Sequence, residues 1–222
     1  ESAISASSRV LAVQGQVVPA TNADVRLWAE LENGQRIEGE SRIGNATSPI
    51  VRLGCTPERP PALPRALEAI AHADLIVLGP GSLYTSLLPN LLVPELVEAI
   101  RRSRAPRLYV CNLRTQPGET DGMDVGGHLR AIEAQLATLG VDERLFTAVL
   151  AQEDLSPSPL VEHYRRRGAE PVTCDVDGLE AQGYEVMQAP LQGARPSATL
   201  RHDPRSVASA VMRFYRKHRW DG

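Results

Sequence analysis

Cysteine is scarce in this sequence, which contains only Cys55, Cys111 and Cys174. The three are far apart and odd in number, and none belongs to a CxxC pair. Such usage is typical of reduced thiols in a cytosolic protein, and we expect a cytoplasmic location. No apolar run is long enough for a membrane-spanning helix, so we expect no membrane span.

An excess of positive charge is also lacking. The chain has 24 basic and 27 acidic residues and a net charge of −3. Domains that bind nucleic acid usually carry a clear basic excess, so we expect no nucleic-acid partner. The 222 residues, 42% of them apolar and 23% charged, can form a core without disulfides or metals. We expect one α/β domain spanning residues 1–222.

Local patterns predict a β-rich first part and then alternating strands and helices. β-branched residues over 9–21, apolar–polar alternation over 24–31 and the Asn33-Gly34 turn predict a β-hairpin segment that returns over 36–43. A strand over 49–55 and a helix over 60–73 follow. Further predicted strands lie at 74–79, 107–113, 145–152, 170–176 and 184–191, and helices at 93–103, 124–140, 158–168, 177–183 and 203–220. This order is typical of a Rossmann-like α/β fold, a mainly parallel sheet flanked by helices.

Two of the strands, 75–78 and 108–111, are continuously apolar. Strands covered on both faces have this composition, so both are predicted to be central in the sheet. Ligands of open α/β sheets bind beyond the carboxyl ends of central strands. The loops "GPGSLYTS" (79–86) and "NLRTQPGETDG" (112–122) follow these two strands, and we therefore interpret them as candidate ligand loops.

The first loop combines glycine with hydroxyls and has no lysine, which excludes a P-loop. Gly79 and Gly81 permit unusual backbone conformations, and the N–H groups of Gly81, Ser82 and Leu83 are expected to converge into an anion-binding nest. The functional interpretation is a phosphate or diphosphate held by neutral donors. The alternative is a tight strand-to-helix turn whose hydroxyls only cap the chain.

The second loop offers amides and carboxylates that suit sugar hydroxyls or a base edge. Glu119, Asp121 and Asp124 could also hold a hard cation through oxygen ligands, and the alternative is a solvated loop.

Arg201, just before the last predicted helix, suits bidentate phosphate binding. Tyr164 is a candidate for base stacking, with packing against the sheet as the alternative. His202 is either a neutral donor or a structural residue.

The residues "ADLIVLGPGSLYTSLLPNLLVPELVEAI" followed by "YVCNLRTQPGETDG" resemble the YvcK group, often called gluconeogenesis factors, of the CofD-like superfamily. "SSRVLAVQGQVVPAT", "GESRI" and "LRHD" match the same group. The resemblance implies a Rossmann-like fold and a nucleotide sugar such as UDP-N-acetylglucosamine as ligand. It further implies a regulatory role in central carbon metabolism, the cell envelope and cell shape.

The resemblance also assigns site residues. The phosphate or nucleotide side draws on Gly79, Gly81, Ser82, Tyr84, Thr85, Ser86 and Asn90. The sugar or base side draws on Asn112, Thr115, Gln116 and Glu119. Chemistry and position, rather than the resemblance, add Arg201 to the phosphate side for diphosphate pairing and Tyr164 to the base side for stacking. The family's GGGTG turn, Asp-Asp-Gly-Gly segment and Gly-His-Ser stretch do not occur here, which implies a chain without the N-terminal third of the family architecture. Sheet edges left open in that way could pair with another chain, and we expect a homodimer.

Three functions follow from these residues. The first is a regulator that binds a UDP-linked sugar without turnover, since no nucleophile–base pair is evident and no cofactor or resident metal is required. The second is a phospholactyl transferase like the enzyme branch of the superfamily, with Mg²⁺ on the acidic residues of the second loop. The third is a scaffold for protein partners. We expect the first.

Overall fold

The computed structural model describes residues 15–153, 155, 157–192 and 199–219. Within these residues the strands form two sheets flanked by helices, as the α/β prediction requires. The strands are β1 Arg26–Leu31, β2 Arg36–Glu38, β3 Ile50–Thr56, β4 Ile76–Leu78, β5 Arg107–Val110, β6 Ala148–Gln152 and β7 Glu185–Ala189. The helices are α1 Glu40–Ile43, α2 Pro64–Ala71, α3 Pro94–Arg102, α4 Val125–Ala137, α5 Pro159–Arg165, α6 Val176–Ala181 and α7 Pro204–His218. A π-helical turn, Leu83–Leu87, and a 3₁₀ turn, Leu88–Leu92, follow β4.

The N-terminal sheet is antiparallel, in the order β2-β1-β3. The predicted hairpin turn is confirmed. Gly34 has φ 79°, and the Gln35 N–H donates to the Asn33 side chain at 3.0 Å. The predicted return over 36–43 is a strand only as far as Glu38, because Gly39 at φ 94° turns the chain into α1.

The second sheet is parallel, in the order β4-β5-β6-β7. Successive side chains along its central strands point to opposite faces and join two different apolar clusters. Tyr109 and Val149 face the antiparallel sheet, α4 and residues 83–92, whereas Leu108 and Leu150 face α5 and α7. Strands β5 and β6 are therefore covered on both faces.

Helix boundaries agree with local capping signals. The side chains of Asp124, Ser158, Asp175 and Asp203 accept hydrogen bonds from the first turns of α4, α5, α6 and α7, which confirms the predicted cap at Asp203. Each cap satisfies a backbone donor that lacks a partner inside its helix. No helix in the described part of the chain is long and apolar enough to cross a membrane.

Two strand predictions are wrong. Residues 75–78 were predicted to be central, but β4 has a strand neighbour only in β5 among the described residues, and Val77 is 39% exposed. Residues 170–176 form no strand and make one isolated bridge, Arg114 to Pro171. Proline cannot donate to a ladder, and Asp175 already caps α6. Residues 9–14 of the β-rich stretch predicted over 9–21 lie outside the described residues, as does Trp220 at the end of the last predicted helix. Residues 15–21 are described and form no strand.

Candidate functional site

A cavity of about 240 Å³ lies beyond the carboxyl ends of β4 and β5. Three segments meet there: the loop after β4, the loop after β5, and residues 200–202 just before α7. The lining residues are Pro80, Gly81, Ser82, Asn112, Leu113, Arg114, Gln116, Leu200, Arg201 and His202. The position is the one that the topology of open α/β sheets predicts for a ligand.

Side chains of the second loop hold the first loop in place. The Gly81 N–H donates to Asn112 Oδ1 at 3.3 Å, and Asn112 Nδ2 donates to the Gly81 carbonyl at 2.8 Å. Ser82 Oγ donates to Gln116 Oε1 at 2.7 Å. One of the three N–H groups expected to form an anion nest therefore already has a partner within the protein. The cavity wall is a hydrogen-bonded unit made from both loops.

Glu119 is the buried centre of this unit. Its carboxylate accepts hydrogen bonds from the Tyr84 N–H (3.2 Å), Thr85 Oγ1 (3.0 Å) and Gln116 Nε2 (2.6 Å). Its side chain is only 4% exposed. Burial raises the pKa of Glu119, and the hydrogen bonds from Thr85 and Tyr84 oppose that rise without cancelling it.

The raised pKa of Glu119 predicts a pH dependence of stability. Between the ordinary and the raised pKa, the folded chain holds a proton that the unfolded chain has lost, so stability falls as pH rises through that interval. One group contributes at most about 1.4 kcal/mol per pH unit. The pH dependence due to Glu119 should disappear in Glu119→Gln. Urea titrations of both proteins from about pH 4 to about pH 8 measure the free energy of unfolding at each pH. The exposed Glu32→Gln is the control, and identical pH profiles for wild type and Glu119→Gln would contradict the assignment.

Several predicted site residues do not line the cavity and have hydrogen-bond partners elsewhere in the protein. Tyr84 is 6% exposed and donates through its hydroxyl to the Ile50 carbonyl at 3.3 Å. Thr115 Oγ1 accepts from the Glu170 N–H at 2.8 Å, and Asn90 Nδ2 donates to the Ser86 carbonyl at 2.8 Å. The remaining predicted residues outside the lining are Gly79, Thr85, Ser86, Glu119 and Tyr164. Those that the structure brings to the cavity are Gly81, Ser82, Asn112, Gln116 and Arg201.

The three carboxylates considered for a cation are not brought together. Glu119 binds the first loop, Asp121 accepts from the Gly118 N–H at 2.7 Å, and Asp124 caps α4. In the parts of the chain that the structure describes, no group of three or more His, Cys, Asp or Glu side chains is arranged to hold a metal ion.

Arg114 lines the cavity and was not among the predicted site residues. The sequence did carry a signal, because Arg114 is the one basic residue of the loop 112–122. His202, a weak candidate in the sequence, also lines the cavity. Its Nε2 lies 3.1 Å from the Cys111 carbonyl, which can only accept, so Nε2 carries the proton. Burial lowers the pKa of His202 and favours the neutral ring.

The electrostatics of the cavity favour an anion. Its lining residues include two arginines, Arg114 and Arg201, and no aspartate or glutamate. Among the described residues, the ion pairs within 4.0 Å include neither Arg114 nor Arg201. A guanidinium without a carboxylate partner beside hydroxyl and amide donors suits the oxygens of a phosphate.

Comparisons with known proteins agree with the resemblance seen in the sequence. Residues 1–192 match the family described as 2-phospho-L-lactate transferase CofD. The chain is 47% identical over 97% of its length to a relative from Nostoc sp., and 39% identical over 95% to the gluconeogenesis factor of Bacillus subtilis. It spans 46% and 64% of the length of these two relatives. A crystal structure of a UPF0052-family protein from Bacillus halodurans matches with a TM-score of 0.84 at 40% identity, covering 94% of this chain and 65% of that one.

Proposed function

This chain belongs to the CofD family, within which its relatives include gluconeogenesis factors, and we propose that it is a regulatory protein of that type that binds a nucleotide sugar. The ligand is a UDP-linked sugar such as UDP-N-acetylglucosamine, bound through its phosphates. The proposed setting is the cytoplasm, where the protein affects central carbon metabolism, the cell envelope and cell shape. The predicted homodimer belongs to the same proposal.

The observation that carries the proposal is the pair of arginines among the lining residues of a cavity that no acidic residue lines. Arg201 and Arg114 supply positive charge, and Ser82, Asn112 and Gln116 supply neutral polar groups beside them. The cavity of about 240 Å³ is smaller than the roughly 300–1,000 Å³ typical of a complete small-molecule site. It therefore suits the phosphate part of a larger ligand whose sugar and base extend beyond it.

Calorimetric titration of the 222-residue chain with UDP-N-acetylglucosamine and with UMP tests the proposal. We expect saturable binding of the sugar nucleotide, recovered intact after the titration. Arg201→Ala should weaken binding about 10-fold or more, because a hydrogen bond between charged groups contributes roughly 1.5–3 kcal/mol. Arg104→Ala, which removes an exposed arginine beside α3, is the matched control and should leave the affinity unchanged. A folded chain that binds neither nucleotide would contradict the function, and equal affinity of Arg201→Ala would contradict the site.

A second candidate follows from the family match, whose description names a transferase. The same titration separates the two when it is repeated with Mg²⁺ and followed by chromatography of the nucleotides. Release of a nucleoside monophosphate that depends on Mg²⁺ would favour transfer of a phosphate-linked group. Recovery of intact ligand favours the regulator.

A further inference from the structure

We propose that the groove between α2 and α3, the α2–α3 groove, is a docking site for an acidic, amphipathic helical segment of a partner protein. The groove has a volume of about 820 Å³. Among the described residues, it shares no lining residue with the cavity beyond β4 and β5. The inference therefore goes beyond the proposed function and does not depend on it.

Helix α2 has an apolar face that the described part of the protein covers only in part. None of its eight residues is buried. Ile70 packs against the apolar cluster that contains Tyr109 and Val149, whereas Leu67 and Ala71 line the groove. A helix this short depends on tertiary packing of its apolar face for its stability. A segment bound in the groove would extend that packing over Leu67.

The leucine and alanine side chains of the groove come from both helices and from the residues that follow each helix. None of them is buried, and they are Leu67, Ala71, Ala73, Ala99 and Ala105. Helices α2 and α3 have 8 and 9 residues, so a groove between them is about 12–14 Å long at the usual rise per residue. That length fits about two turns of a bound helix, whose anchoring side chains lie at positions i, i+3 and i+4.

Hydrogen bonds fix the α2–α3 groove at both ends. The Ala62 N–H, just before α2, donates to Glu95 Oε2 at the start of α3 at 2.6 Å. At the other end, the Ile76 N–H of β4 donates to the Pro106 carbonyl at 3.0 Å, which ties together the segments that follow the two helices. Because the groove is formed before a partner binds, less free energy is lost in ordering it.

Positive charge lines the same groove. Its charged residues are three arginines and two glutamates, namely Arg59, Arg102, Arg104, Glu95 and Glu98. Glu95 already accepts the hydrogen bond from the segment before α2, and Glu98 pairs with Arg102 at 2.5 Å. In the part of the chain that the structure describes, the ion pairs within 4.0 Å include neither Arg59 nor Arg104, and both are exposed. Carboxylates of a partner complement these two guanidinium groups.

The chemistry of the groove favours a protein segment over a nucleic acid or a membrane. Grooves that bind single-stranded nucleic acid combine basic residues with aromatic side chains for stacking, and none of the described lining residues is aromatic. A membrane surface takes up a protruding apolar face or a polybasic cluster, whereas these apolar residues lie in a concave groove. An amphipathic helix places an apolar ridge in such a groove and its acidic residues beside the arginines.

Selection from a phage-displayed library of random peptides, each about four helical turns long, tests the inference. The bait is the 222-residue chain, with counter-selection against Ala71→Glu, which places a carboxylate among the apolar residues at an exposed position. We expect enriched peptides that carry an acidic excess and apolar residues at i, i+3 and i+4. Enrichment of basic peptides, or of no peptide that discriminates between the two baits, overturns the inference.

Fluorescence anisotropy of a labelled, selected peptide measures which residues carry the affinity. Ala71→Glu should weaken binding about 10-fold or more, because the new carboxylate repels the acidic segment and fills part of the groove. Arg104→Glu should weaken binding by about 3-fold to 10-fold, the range expected when one charge of an exposed pair is reversed. Arg213→Glu is the matched control and should change nothing, because Arg213 is an exposed arginine of α7 on the opposite face of the parallel sheet.

A charge exchange separates docking from an effect on the fold. A peptide whose glutamates are replaced by lysines should bind Arg104→Glu more tightly than wild type, which a misfolded variant cannot do. Equal affinity of that peptide for both proteins contradicts the charge complementarity. Circular dichroism checks each fold. If Ala71→Glu fails to fold, Leu67→Ala decides in its place and should weaken the original peptide about 5-fold through lost apolar contact.

Other occupants of the groove give different results. Sedimentation with phosphatidylserine vesicles that Arg104→Glu abolishes, without any enriched peptide, would assign the groove to a membrane. A dimer in sedimentation velocity that Ala71→Glu dissociates would assign it to a second copy of this chain. Either result overturns the inference. Peptide binding that survives in Arg201→Ala supports it, and a chain that binds the peptide but neither nucleotide contradicts only the proposed function.

Discussion

Replacing Gly54 by alanine should lower the free energy of unfolding by about 3 kcal/mol, one of the largest effects expected of any single methyl group in this chain. Gly54 lies on β3 directly opposite Trp28 of β1. A Cβ atom at Gly54 would lie well under 3.0 Å from three atoms of the Trp28 indole. The ring is rigid and cannot yield as the end of a flexible side chain would.

The surroundings of Trp28 explain why the ring cannot swing away. Trp28 is only 5% exposed although it lies outside the apolar cluster beneath the sheet. Arg36 and Arg52 cover it, with their guanidinium carbons 3.9 and 5.3 Å from the ring centre. The indole thus packs on the backbone of Gly54, and the guanidinium groups of the two arginines pack on the indole. Glycine is costly in a strand, and an aromatic partner across the strand compensates for it.

A double-mutant cycle measures the effect. In the Trp28→Leu background, Gly54→Ala should cost less than about 1 kcal/mol, because the clash is absent and alanine suits a strand better than glycine. Urea denaturation of the four variants gives the coupling. Gly15→Ala is the control, since no atom lies within 4 Å of its Cβ position. An equal cost in both backgrounds would mean that the ring does not cause the loss.

Elements with a local cause were predictable from the sequence. The Asn33-Gly34 turn needs a positive φ that glycine supplies, and the Asp203 cap needs only an N–H three residues ahead. The prediction of a strand over 170–176 failed. The deciding facts there are the bridge from Pro171 to Arg114 and the cap at Asp175, and the first of these involves a residue far away in the sequence.

The candidate site was likewise predictable only in part. Topology predicted where the cavity lies, and Gly81, Asn112 and Arg201 do line it. The sequence could not tell which hydroxyls and carboxylates face inward. Thr85 and Glu119 were predicted as ligand groups, but their partners are one another, 34 residues apart along the chain. Choosing between a ligand contact and an internal contact required the three-dimensional register of the two loops.

Replacing Gly79 by alanine should also cost about 3 kcal/mol, and should remove ligand binding through the fold of the loop. Gly79 has φ 89°, where residues with a side chain are strained. Its Cβ would lie 2.7 Å from the carbonyl oxygen of Val110, the last residue of β5. That oxygen belongs to the backbone, so either β5 or the loop must move.

The neighbouring glycine provides the matched control. Gly81 has no left-handed φ, and its Cβ would meet the flexible end of Leu87 at 3.1 Å. Gly81→Ala should therefore cost about 1 kcal/mol or less, although it lies in the cavity lining and Gly79 does not. Thermal melts should place the Gly79→Ala midpoint about 6 to 12 °C below wild type and the Gly81→Ala midpoint within about 4 °C of it. The reverse order would mean that the close approach of the β4 loop to the end of β5 does not shape the site.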